Sequence, residues 1–192
     1  MAVLADLEVI VGPPAAVPPP VDWPTLERIS GLVFPQDYKE LAARYGMLEV
    51  DAFLAVNHLG MPAEVSAMLR QCQETLEGLR ILVEDLGFIY VEDDFGREVE
   101  AEPYPFYPDP GGLFPWGATQ NGDTLLWLTD LDPNRWTIVV TDGGTWWHFD
   151  GGIVDFLVGI LSGTLQCPVL PAFSPSELRV FQYASLDQLP HE

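Results

Sequence analysis

Phe34-Pro35-Gln36-Asp37-Tyr38-Lys39-Glu40-Leu41-Ala42-Ala43-Arg44-Tyr45-Gly46 reads as a short helix with both ends marked. Proline is tolerated in a first helical turn, because the N–H it lacks would have no partner there, and glycine suits the left-handed position just past a helix end. Phe34, Tyr38, Leu41, Ala42 and Tyr45 recur at helical spacing as one apolar stripe, with Gln36, Asp37, Lys39, Glu40 and Arg44 opposite. Asp37 and Glu40 sit toward the positive end of the helix dipole, and Glu40 precedes Arg44 by four residues, a favourable pairing distance. The stretch predicts a surface helix lying on a core, and it carries no catalytic chemistry.

Upstream, Asp22 can cap a helix that holds Trp23, Leu26 and Ile29 and ends near Ser30-Gly31. Before it, Gly-Pro-Pro-Ala-Ala-Val-Pro-Pro-Pro over residues 12–20 excludes a helix or central strand and predicts an extended, Pro-rich lead-in over residues 1–20. The α+β domain is then expected over residues 21–165, with residues 166–192 as an extension that packs on it or trails it. Downstream, residues 47–56 alternate imperfectly and predict a strand, or a strand with a bend. Pro62 opens the longest helix, whose Val65, Met68, Leu69, Cys72, Leu76 and Leu79 step by three and four. Residues 81–83 form a short apolar run, and residues 88–91 read as a strand.

The second half is richest in β signals. Asn121-Gly122 between residues 116–119 and 124–129 is a strong hairpin signal, because both turn residues are expected at positive φ. Residues 136–141, the Asp142-Gly143-Gly144 turn and residues 146–149 extend it into an antiparallel meander. Asp150 can cap a last helix with Ile153, Phe156, Leu157, Ile160 and Leu161 on one face, ended by Gly163; residues 177–183 can add an edge strand or cover the sheet. The fold class is therefore α+β: a mainly C-terminal β-meander bracketed by helices.

Composition narrows the function. The chain has 192 residues and a net charge of −21, from 29 acids against 8 Lys plus Arg. Such a field repels phosphates, so direct nucleic-acid binding is not expected, whereas a basic protein would be attracted. Cys72 and Cys167 are too few for a disulfide scaffold and lack zinc-site spacing, so they read as buried thiols. An acidic N-terminus and the lack of any membrane-length apolar run suggest a cytoplasmic protein that does not insert in membranes. No phosphate loop, Gly-x-Ser-x-Gly or His-Glu-x-x-His is present, and His148 with Asp150 reads as structural. No catalytic residue, metal or cofactor is expected. Of the six tryptophans, adjacent Trp146 and Trp147 must point to opposite sides of a strand, which would leave one exposed.

The sharpest electrostatic feature runs from Glu84-Asp85 through Glu92, Asp93, Asp94, Glu98, Glu100 and Glu102 to Asp109, with only Arg97 opposing it. Glu92 to Glu102 form the candidate surface for a basic partner; a solvated loop without a partner is the plain alternative.

The helix quoted first, preceded by Trp23, resembles the opening of the SUKH superfamily, a group of bacterial toxin-immunity proteins with a fungal cell-wall assembly regulator. Trp116-Gly117-Ala118-Thr119-Gln120-Asn121-Gly122-Asp123 and the segment from Phe149-Asp150 to Asp155-Phe156-Leu157 extend the resemblance over about residues 22–165. The resemblance implies that Trp23, Pro35, Asp37, Tyr38, Gly46, Gly117 and Asp123 are architectural. It also implies a non-enzymatic protein that binds and occludes a toxin, or else a regulatory module that binds a cellular protein.

Overall fold

The meander expected over residues 116–149 is the centre of the molecule. In the computed structural model, which describes residues 2–61, 65–93 and 96–188, β5 (Leu113–Thr119), β6 (Thr124–Leu128), β7 (Thr137–Thr141) and β8 (Thr145–Phe149) pair antiparallel in succession. Alternation sends side chains to both faces. Phe114, Trp116, Leu125, Trp127, Ile138, Val140 and Trp147 enter one cluster, while Leu113, Leu126, Val139 and Trp146 enter another. Both faces are covered by helices, so Trp146 and Trp147 are both buried, at 1% and 3% exposure, and neither is the exposed anchor the sequence suggested.

The remaining strands extend this sheet in both directions. β1 (Met47–Val50) and β2 (Leu54–Val56) join at β5, and β3 (Ile89–Glu92) and β4 (Glu98–Ala101) join at β8. With β9 (Val180–Tyr183) the order is β4-β3-β8-β7-β6-β5-β2-β1-β9; every pair is antiparallel except β3 with β8. The strand read over residues 47–56 is a hairpin. Its turn places Asp51 and Ala52 at φ 56° and 51°, the handedness that matches the twist of flanking strands, but without the glycine that usually signals it.

Five helices flank the sheet: α1 (Leu4–Val11), α2 (Trp23–Ser30), α3 (Gln36–Arg44), α4 (Val65–Leu86) and α5 (Ile153–Ser162). α1, α3 and α5 pack together in the larger cluster; Leu76, Leu79 and Val83 of α4 cover the other face. The run at residues 81–83 belongs to α4, where Ile81 and Leu82 face outward. Pro62, expected at the start of that helix, lies outside the described residues. The lead-in expected over residues 1–20 begins later than the sequence suggested. Leu7 and Val11 of α1 are buried, and the stretch without helix or strand that follows runs from residue 12 to residue 22. α1 is held by an Arg44–Glu8 ion pair at 2.8 Å and by the Ala2 N–H on the Asp155 carboxylate. Arg44 thus bonds to another helix rather than to Glu40, which accepts from Gln36 Nε2 at 3.0 Å.

The stripe of α3 is as expected: Phe34, Tyr38, Leu41, Ala42 and Tyr45 are all buried. Its ends differ from the expectation. Pro35 occupies the cap position, and Tyr45, in extended conformation, ends the helix. Gly46 serves another purpose: a Cβ there would collide with the Tyr183 carbonyl. Asp37 leaves the solvent side and accepts from the Val154 N–H at 3.3 Å, satisfying a free donor at the start of α5. Asp150 has no such role, because Gly152 is the cap residue of α5 and no side chain of its own caps that end.

Candidate functional site

The acidic stretch folds as a hairpin at one edge of the sheet. In β3 and β4, Tyr90 lies opposite Glu100, Val91 opposite Val99 and Glu92 opposite Glu98. Paired residues share a face, so Tyr90, Glu92, Glu98 and Glu100 project on one side and Ile89, Val91, Val99 and Ala101 on the other. Ile89 meets Leu76, Leu79 and Val83, which puts the apolar side against α4. Tyr90 is in register with Thr145 of β8, and Thr145 Oγ1 lies 3.4 Å from Glu98 Oε1. The carboxylate side therefore faces the same way as Trp147 and α5. Glu98, Glu100 and Glu102 are exposed; Glu92 and Asp93 are half-buried; Asp94 lies outside the described residues.

The one basic residue of the stretch is used inside the turn. Arg97 Nη2 and Nε reach Asp93 Oδ2 at 2.6 and 2.9 Å, and its backbone N–H reaches Asp93 Oδ1 at 3.0 Å. Glu92 and Glu98 are thus held side by side on a strand pair, an arrangement that like charges oppose.

Beside the hairpin opens a cleft of about 650 Å³. Trp147 and Ile160 form part of its wall, Leu165, Leu170 and Phe173 close it, and Glu92 and Asp93 stand at its rim. The chain after α5 makes this shape by folding back, with the Leu165 N–H on the Gly159 carbonyl at 3.0 Å. Cys167 lies in the lining, where burial pushes its thiol up to about 11, with smaller contributions from Asp123 and Glu92. Residues 167–174 belong to the extension expected over residues 166–192, whose place in this wall the sequence did not indicate. The signal available was the apolar content of Cys167-Pro168-Val169-Leu170-Pro171-Ala172-Phe173, too irregular to match either a helical or a strand period.

The architectural residues lie apart from this surface in role. Phe34 is ringed by Trp23, Tyr38, Phe114, Trp127 and Trp136 at 5.6 to 6.5 Å, and Lys39 Nζ stands 5.5 Å from the Trp23 ring. The Tyr38 hydroxyl donates to the Asn57 carbonyl at 3.0 Å and accepts from the Leu59 N–H at 3.1 Å. Burial drives its ionisation strongly upward. Burial also raises the Asp37 carboxyl, against the lowering by the N–H groups of Val154, Tyr38 and Ile153. Gly117 sits where β5 bulges, and a Cβ there would meet the Ala55 carbonyl at 2.6 Å. Asp123 is buried and accepts from Thr119 Oγ1 at 2.6 Å. The turn between them differs from expectation: only Gly122, at φ 93°, takes positive φ, in a three-residue loop closed by the Gly122 N–H on the Thr119 carbonyl.

The remaining titratable candidates are engaged in structure. His148 Nε2 pairs with Thr137 Oγ1 at 2.8 Å, not with Asp150. His58 is buried; Gly60 N–H donates to its Nδ1 at 3.1 Å, which leaves Nε2–H to donate to the Ala42 carbonyl at 2.9 Å. Among the described residues no group of three or more His, Cys, Asp or Glu is arranged to hold a metal ion, and no helix is long and apolar enough to cross a membrane. The fold and surface define an α+β protein with an acidic hairpin beside a cleft of mixed polar and apolar lining. No family model, curated protein or solved structure matches the chain.

Proposed function

We propose that this chain is a non-catalytic protein-binding module of the immunity type, one that occludes a toxin domain carrying a basic surface, such as a nuclease. The observation that carries this reading is that Glu92, on the carboxylate face of β3 and β4, also borders the cleft against Trp147. Carboxylates steer a cationic partner and enforce orientation, and the adjoining cleft offers a concave surface that a partner's side chain can fill. The SUKH-like residues support the same reading. They occupy capping, core and close-approach positions, leaving the hairpin and cleft free to vary with the partner. In this reading the protein acts in the cytoplasm, without a cofactor and without binding nucleic acid directly.

Deleting the gene with and without the reading frames beside it tests the proposal. Immunity predicts a growth defect only while a neighbouring toxin frame is intact, and rescue by the wild-type protein but not by a Glu92→Lys, Glu98→Lys variant. A defect that persists without the neighbours favours a regulatory module bound to a cellular protein. Purified basic toxin domains from adjacent frames that show no complex by calorimetry would remove the immunity reading.

A further inference from the structure

We infer that β4 is a strand acceptor: its open edge takes an added β-strand from the partner, with lysine or arginine at alternate positions and apolar residues between them. The inference deepens the protein-binding reading and rests on it. β4 ends the sheet: it is paired on one side with β3, and among the described residues no strand lies beyond it. Half of the peptide groups of an edge strand point outward, and an added strand satisfies them while its alternate side chains fall on the two faces. The two faces of β4 differ in chemistry. Glu98 and Glu100 project on the side of α5 beside Glu92, and Glu102 continues the alternation; Val99, 55% exposed, projects on the side of α4.

This asymmetry selects the occupant. A second copy pairing edge to edge would bring Glu98 and Glu100 against their own kind, which like charges oppose. An incoming strand that alternates cationic and apolar residues meets carboxylates on one face and Val99 and Ala101 on the other. Opposite charges across a strand pair are favourable, and such a strand also relieves the Glu92–Glu98 juxtaposition. Acidic residues on β4 thus exclude self-association and choose a basic strand with the same atoms.

The test uses the full chain and a capped heptapeptide alternating lysine and valine. Two derivatives carry N-methyl groups on alternate amides, one in each phase, and a fourth peptide has the same composition with the lysines grouped. Strand addition predicts that one methylated phase weakens binding at least about tenfold while the other is tolerated, since only one set of amides faces the edge. The grouped peptide is weaker than the alternating one, the alternating peptide slows hydrogen exchange in β4, and Glu98→Gln, Glu100→Gln reduces affinity. Equal binding by all four peptides, equal loss in both phases, or unliganded dimers with protected β4 amides overturns the inference. The peptide readouts do not depend on the genetic test, so failure of the immunity reading leaves them distinct.

Discussion

The two ends of the sheet are built on opposite plans. At the β9 end everything is tied down. Asp51 accepts from the Arg179 N–H at 2.8 Å and returns its own N–H to the Arg179 carbonyl; the Gln182 amide binds the Val11 and Pro13 carbonyls and the Ala15 N–H; Gly46 packs on the Tyr183 carbonyl. At the β4 end the strand carries exposed carboxylates, and its pairing partner β3 contributes only Ile89 as a fully buried apolar side chain. Hydrogen bonds from distant segments tie down one end, and exposed carboxylates gather at the other.

The largest effect is expected at the aromatic centre of the sheet, between the two ends, for Phe34→Ala. It removes a ring touching five others and should cost about 3–5 kcal/mol in urea unfolding, whereas Tyr90→Ala, on the hairpin, should cost under about 1 kcal/mol. Equal costs would abolish the contrast. Gly46→Ala pushes against the Tyr183 carbonyl and should cost about 1–3 kcal/mol, with faster hydrogen exchange confined to β9 and β1. In the wild type the β3 and β4 amides should exchange first, and protection of β4 beyond β9 would reverse the comparison.

Asp37→Ala leaves the start of α5 without its acceptor and should cost about 0.5–2 kcal/mol, as other lost helix caps do. His58 sharpens the same contrast by pH. Burial lowers its pKa below the ordinary 6.5, so above that value both folded and unfolded states hold it neutral and its contribution is intact. As pH falls below 6.5 the unfolded chain takes up the proton first and stability is lost, down to the depressed folded value. The difference in stability between wild type and His58→Gln, measured from pH 7.5 to 5, should therefore shrink as pH falls; a constant difference refutes the assignment. The smallest effect is a gain. Ala52 sits at φ 51°, where a side chain is strained, and Ala52→Gly should stabilise the β1–β2 hairpin by about 0.5–1 kcal/mol.

How much of this was legible in the sequence follows from how local each signal is. The stripe of α3, the Asp22 cap of α2, with Thr25 N–H on its carboxylate at 3.2 Å, the meander and the Gly163 stop are local and were readable. α1 was hidden because Leu4–Val11 becomes amphipathic only in relation to α5, and β4 because the alternation of Glu98–Ala101 spans only four residues within a run of acids. Gly46 looked like a helix stop, yet the atom that excludes its side chain lies far along the chain, at Tyr183. Of the acidic candidates, Glu92, Asp93, Glu98, Glu100 and Glu102 were identifiable by charge; their division between a cleft rim and a strand edge was not.

By itself the sequence determined most of the helices, the central meander, the α+β class and the sign of the net charge, because capping, periodicity and net charge depend on residues within a few positions of one another or on their sum. Only the tertiary structure decided that Asp37 caps a helix it does not belong to, that both adjacent tryptophans are buried, and that Glu92 and Asp93 border a cleft against Trp147. Those facts depend on which distant segments share a face, and strand pairing and helix packing set that only when the chain is closed into one sheet.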